Sequence, residues 1–230
     1  MTILYEDNHI IAVNKTCNEI VQGDKTGDTP LSEMVKAYIK EKYNKSGEVF
    51  LGVPHRLDRP TSGVVVFART SKALSRLTEM FRNHGEIHKT YWAIVSRRAY
   101  QPYTADNMVT LDNYLWRNEK QNKSYVVEPN HKDAKRAILH YKIIAESDRY
   151  LLLEIQLETG RHHQIRCQLA NIGMPIKGDL KYGAKRSNPD GGICLHARSI
   201  EFTHPVSKLP VKIVAPVPDS DIWTKIENKL

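Results

Sequence analysis

The chain has 230 residues, 40% of them apolar and 26% charged, which suits a globular protein able to fold on its own as one large domain or two small ones. Three widely spaced cysteines, Cys17, Cys167 and Cys194, form no Cys-x-x-Cys pair and argue against a disulfide framework or a zinc site; no apolar run nears the roughly 20 residues that cross a bilayer. Thirty-four Lys and Arg against 26 Asp and Glu give a net charge of +8, which points to a polyanionic partner and says nothing of fold. The N-terminus lacks a basic stretch followed by an apolar core, so the expectation is a soluble, cytoplasmic protein that makes no contact with membranes.

In chain order, Ile3 to Tyr5 and Ile10 to Val13 are short β-type runs around Glu-Asp-Asn-His and read as a hairpin. Lys15 to Asp28 reads as loop. Pro30 opens a helix, capped by Asp28 or Thr29, with Leu31, Val35, Tyr38 and Ile39 at helical spacing up to about Tyr43. Gly63 to Arg69 is a strand, and Ser71 to His84 a second helix with Leu74, Leu77, Met80 and Phe81 on one face. Lys89 to Ser96 returns to strand. Arg97 to Pro129 shows no clean period and reads as irregular strands and loops. Ala137 to Ile144 and Tyr150 to Leu157 form a long hairpin. Gly160 then turns the chain into a helical run from Arg161 to Asn171. Ile193 to Phe202 and Val211 to Val214 are late strands, and Asp219 to Asn228 is a terminal helix. Strands outnumber helices without a helix after every strand, so the expected class is α+β with a mixed, mainly antiparallel central sheet flanked by helices. No repeat and no long linker divides the chain, so residues 1–230 are expected to form a single domain.

The most informative stretch runs from Val53 to Thr70. An apolar approach, a polar knot and an apolar run describe a charged turn feeding a buried strand. In that knot Asp58 stands between Arg56 and Arg59, whose cationic heads favour an ionised carboxylate, fit for nucleophilic or electrostatic work rather than proton donation. Asp, Pro, Ser and Gly serve an ordinary tight turn equally well. A second cluster, Gly160 to Arg166, places Arg161, Gln164 and Arg166 at a helix start, where an anion is welcome; a solvated basic helix end is the plainer alternative. His162 and His163 are neighbours, whereas ligands on one helical face need a spacing of three or four, so no metal is expected. Lys89-Thr90-Tyr91-Trp92 pairs aromatics with a cation on a strand. Alternation sends Tyr91 and Trp92 to opposite faces, one towards a core and the other available to stack a base.

Together these residues resemble a known family. His55-Arg56-Leu57-Asp58-Arg59-Pro60-Thr61-Ser62-Gly63 resembles the His-Arg-Leu-Asp-x-x-Thr-Ser-Gly signature of the ribosomal large-subunit pseudouridine synthase A family. Glu6 to Lys15 is similar to that family's opening motif, Lys89-x-Tyr91 to its tyrosine motif, and Glu158-Thr159-Gly160-Arg161-x-His163-Gln164-Ile165-Arg166 to its third. Leu195-His196-Ala197 with His204-Pro205 resembles its last. The chain departs at Thr16-Cys17-Asn18-Glu19, where relatives carry Pro and an apolar or Gly-rich turn.

The resemblance implies the pseudouridine synthase catalytic fold and an isomerase that converts specific uridines to pseudouridine in ribosomal or transfer RNA. Asp58 would be the catalytic carboxylate, either adding to the sugar or abstracting a ribose proton. Arg166 would pair with Asp58, Tyr91 would stack on the base and take part in the proton transfer, and Arg56 would hold the place of the flipped nucleotide. Leu195 would wall the base pocket, with His55, Leu57, Thr61, Arg161, His163 and Gln164 completing the substrate side. No cofactor is needed, because no redox step or phosphoryl transfer is involved. The further expectations are a monomer, no obligate protein partner and no separate N-terminal RNA-binding module. Two other classes compete: an inactive RNA-binding or assembly factor on the same fold, and a phosphatase-like enzyme using an Asp followed by Thr. The second lacks nearby carboxylates for magnesium.

Overall fold

The computed structural model describes residues 1–24, 27–83, 85–97 and 107–229. Strands β1 (Thr2–Glu6) and β2 (Ile10–Lys15) precede helix α1 (Leu31–Lys42), strand β3 (Ser62–Ala68) and helix α2 (Ser71–Arg82). Strands β4 (Ile87–Ser96), β5 (Val109–Asn118), β6 (Lys123–Val127), β7 (Lys135–Glu146) and β8 (Tyr150–Leu157) follow. Helix α3 (Gln164–Asn171), a 3-10 turn (Leu180–Tyr182), β9 (Leu195–Thr203), β10 (Pro210–Val214) and α4 (Asp221–Glu227) complete the chain. The class is α+β with mainly antiparallel strands, as the sequence predicts. Among the described residues no helix is long and apolar enough to cross a membrane. Two compact units emerge, Met1–His88 with Ala197–Pro216, and Lys89–His196 with Val217–Leu230.

In the first unit, β1, β2 and β3 pair antiparallel in sequence order. The β1–β2 turn closes because the Asp7 carboxylate accepts from the backbone N–H groups of His9 (2.7 Å) and Ile10 (2.8 Å), the Asx closure that suits a short polar turn. Every residue of β3 is buried, as expected of an apolar run covered on both faces. Helix α2 covers β3, and the Thr70 hydroxyl caps it by accepting from Ala73 N at 3.2 Å. Its core-facing residues are Ala73 and Leu77. His84, the expected end of this helix, lies outside the described residues. Helix α1 is capped differently from the sequence expectation. Pro30 occupies the N-cap position, and the first free N–H groups, on Leu31 and Ser32, donate to the carbonyls of Ile20 and Val21. Loop backbone replaces the expected Asp28 or Thr29 side chain. Asp28 instead meets Arg59 at 2.7 Å.

In the second unit the strand order is β4-β8-β7-β5-β6, antiparallel throughout. The region expected to be irregular therefore holds a regular β5–β6 hairpin, with residues 98–106 outside the described residues. Its solvent face carries Tyr114, Trp116, Lys123 and Tyr125, all half-buried, so the apolar–polar alternation that marks a strand is blurred. On the other face, α3 packs against β5 and β6 through Leu115, Ala137, Cys167 and Tyr182. Gln168, fully buried, ties that helix down by donating to the carbonyls of Leu111 and Ala137 and to the Asn113 side chain.

Candidate active site

Asp58 lies on the extended approach to β3, half-buried, between exposed Arg56 and half-buried Arg59. Its turn closes through Thr61 N donating to the Asp58 carbonyl at 3.0 Å. The turn is pinned from beneath by a residue the sequence places only at a loop start. Lys15, at the end of β2 and fully buried, donates its ammonium to the carbonyls of Thr16 (2.9 Å), Arg59 (2.9 Å) and Thr61 (2.6 Å). Burial pushes its pKa down to about 8, against the opposing pull of Glu19, Cys17 and Asp58. Three carbonyls on one cation leave the loop around Asp58 little freedom. The chemical signal for this was a lysine at the end of an apolar strand, Ile10 to Val13, where an exposed surface residue is the usual reading.

The neighbouring signature residues divide between support and solvent. His55 Nε2 accepts from Val66 N at 2.9 Å, and its ring stacks on Phe81 of α2 with centroids 4.4 Å apart. Leu57 and Thr61 are buried, while Arg56 points to solvent. Gly63 is demanded sterically: its φ is +116°, and a Cβ there would sit 2.7 Å from Ala197 Cα of β9.

In the second unit, Tyr91 of β4 is half-buried and packs on the core, whereas Trp92 is buried and its indole N–H reaches Glu154 at 3.4 Å. Trp92 is thus the more deeply buried of the two, and both meet the same apolar core. Leu195, at the start of β9, is buried in the same core. Lys89, two residues before Tyr91 on the same strand face, is half-buried, and desolvation lowers its pKa.

Arg166 on α3 is held from several sides. Its Nε and Nη2 donate to the Asp179 carboxylate at 2.7 and 2.9 Å, and both side chains are buried. Such a fork fixes the plane of the guanidinium. Tyr182 lies 5.1 Å from the guanidinium carbon. The Tyr182 hydroxyl accepts from Ser124 N at 2.8 Å and shares a hydrogen bond with His163 Nδ1 at 3.0 Å. His163 in turn stacks on His162 at 3.8 Å. Burial, followed by the charge of Arg166, drives the His163 pKa down to about 2, so the ring is neutral.

The sharp strand-to-helix turn is made by His163, at φ +52°, rather than by Gly160, and α3 begins at Gln164 rather than Arg161. Gln164 accepts from the Thr159 hydroxyl and Arg161 N and donates to the Ile138 carbonyl. Arg161, exposed, donates through Nε to the Arg136 carbonyl. His163 and Gln164 thus build the platform on which Arg166 stands, and Asp179 and Tyr182, which the sequence reading did not single out, complete it.

Each unit thus holds its own fixed group: the first a carboxylate on a pinned turn, the second a guanidinium whose plane is set by Asp179. The family model described as RNA pseudouridylate synthase matches residues 9–171, and the chain belongs to that family. It is 33% identical to the ribosomal large subunit pseudouridine synthase D of Xylella fastidiosa, over 95% of this chain and 66% of that protein. The chain therefore spans slightly less than two thirds of that relative's length. It is 31% identical to the tRNA pseudouridine synthase C of Vibrio cholerae, over 97% of this chain and 93% of that one. The solved structure of human RNA pseudouridylate synthase domain containing 4 shares the fold, with a TM-score of 0.76 at 22% identity, covering 97% of this chain and 91% of that one.

Proposed function

We propose that this protein is an RNA pseudouridine synthase in which Asp58 is the catalytic carboxylate and the substrate is a uridine in ribosomal or transfer RNA. The observation that carries the reading is the buried Lys15 clamp beneath the Asp58 turn, inside the span matched by the family model. The two substrate classes come from the names of the ribosomal and transfer RNA enzymes to which the chain is similar.

The reaction breaks the N1–C1′ glycosidic bond, turns the uracil in place and forms a C5–C1′ bond. The proton leaving C5 is matched by one gained at N1, so nothing is oxidised or reduced. Asp58 supports the sugar fragment as the base detaches. The Tyr91 ring stacks on the uracil and Leu195 walls the slot, which keeps the free base from escaping before it rejoins. The guanidinium of Arg166, its plane fixed by Asp179, supplies positive charge to the reaction. Arg56, pointing to solvent, occupies the space left by the extruded nucleotide and offsets part of the few kcal/mol that extrusion costs. The 230 residues act as one monomeric catalytic domain in the cytoplasm.

Replacing Asp58 by Asn keeps the size of the side chain and removes its charge. Single-turnover pseudouridine formation on a ribosomal or transfer RNA transcript that the wild-type chain modifies should fall by roughly 10³-fold or more. Turnover at the wild-type rate would overturn the reading.

A further inference from the structure

Several cations on the second unit are spoken for: Arg136 meets Asp112, Lys142 meets Glu154 and Arg97 meets Glu146. Another group is not. Arg117, Lys120 and Lys123 surround the β5–β6 turn, Lys181 lies in the 3-10 turn, and Lys185 and Arg186 follow it. All but half-buried Lys123 are exposed, and among the described residues none of the six forms an ion pair. Two contacts join these stretches, 60 residues apart in sequence, into one surface. The Lys181 ammonium donates to the carbonyls of Gln121 (3.3 Å) and Asn122 (3.1 Å). The Lys123 ammonium stands 5.1 Å from the Tyr182 ring.

This surface borders the platform under Arg166. Tyr182 touches both Lys123 and Arg166, and the charges of Lys181 and Arg117 reach the buried His163. Glu119 is the one carboxylate in these two stretches, and among the described residues it forms no ion pair with the six cations, so an excess of like charge remains. The neutralising partner must therefore be an external polyanion presenting negative charge at several points in a row.

We propose that this surface is the phosphate track of the substrate, and that the RNA strand carrying the target uridine lies across the β5–β6 turn and the 3-10 turn, its phosphates meeting these six cations. The proposal rests on the RNA reading above and adds the part of the molecule that supplies affinity. Contacts to phosphates position a strand without reading its bases, so the track sets how tightly RNA binds and not which uridine is chosen.

The test compares Lys120→Gln/Lys185→Gln/Arg186→Gln with Lys142→Gln, a paired cation elsewhere on the same unit, using a transcript that the wild-type chain modifies. Dissociation constants are measured between 50 and 200 mM KCl, and single-turnover rates at saturating enzyme. In the triple variant the slope of log K against log salt should become shallower by about 2, and affinity at about 0.1 M salt should fall by roughly 30- to 100-fold, since each lost phosphate contact removes about 0.7 of slope on a single strand. The saturating rate and the thermal midpoint should match wild type, and Lys142→Gln should change none of these. A correctly folded triple variant with wild-type slope and affinity overturns the track while leaving the enzyme reading intact. A wild-type chain that neither binds nor modifies any transcript overturns the enzyme reading, and the track with it.

Discussion

Lys15 illustrates how a single buried side chain fixes a loop. Its ammonium is the donor for three backbone carbonyls, each of which would cost about 1 kcal/mol or more if left buried and unpaired. Lys15→Met keeps the length of the stem and removes the donor. It should lower unfolding free energy by about 3 kcal/mol in urea titration, and it should also slow turnover under conditions where the variant is still folded. Asp179 plays the matching part for Arg166. Asp179→Asn leaves the guanidinium without its buried counter-charge, at a cost of about 3–5 kcal/mol. Because Arg166 then loses its aim, single-turnover rates should fall while RNA affinity stays near wild type; equal losses in both would show that Asp179 only holds the fold. His163 sets a pH window. Its folded pKa lies near 2, against an ordinary 6.5, so between those values the unfolded chain holds a proton that the folded chain does not. Its contribution is complete above pH 6.5 and is lost as pH falls, by about 1.4 kcal/mol per unit. His163→Asn, which tolerates the left-handed backbone, should flatten that slope in unfolding curves taken from pH 7 to pH 4.

Elements of this chain are decided by neighbours as much as by their own residues. Helix α1 shows it: local rules place the cap on Asp28 or Thr29, yet the carbonyls of Ile20 and Val21 reach the free N–H groups and Asp28 is drawn to Arg59. The β5–β6 hairpin shows the same from the other side. Its period is masked because aromatic residues occupy the solvent face, and only the register Trp116↔Tyr125 and Leu115↔Val126 reveals which face is which. At the start of β3, Gly63 combines a left-handed backbone with the close passage of β9. Gly63→Ala should therefore cost at least about 2 kcal/mol in thermal or urea unfolding, more than a glycine-to-alanine change at an open turn such as Gly47, which meets nothing within 4 Å.

At the scale of the molecule, the proposed function gives net charge and the Asp58 carboxylate separate tasks. If affinity for RNA rests on the basic surface of a chain with a net charge of +8, as proposed, Asp58→Asn should bind a transcript with the wild-type dissociation constant while failing to modify it. The sequence by itself determined the α+β class, the β1–β2 and β7–β8 hairpins, helices α1 and α2, and the family. These follow from short-range periodicity and from motifs whose residues lie a few positions apart. It also singled out Asp58, Tyr91 and Arg166. What only the tertiary structure decided is how such residues are held: Lys15 reaching 44 and 46 positions along the chain to the Asp58 turn, Asp179 turning back 13 positions to Arg166, and Tyr182 joining both to Ser124, 58 positions away. A buried charge finds its partner through the path of the backbone in space. No pattern of neighbours along the chain records that path.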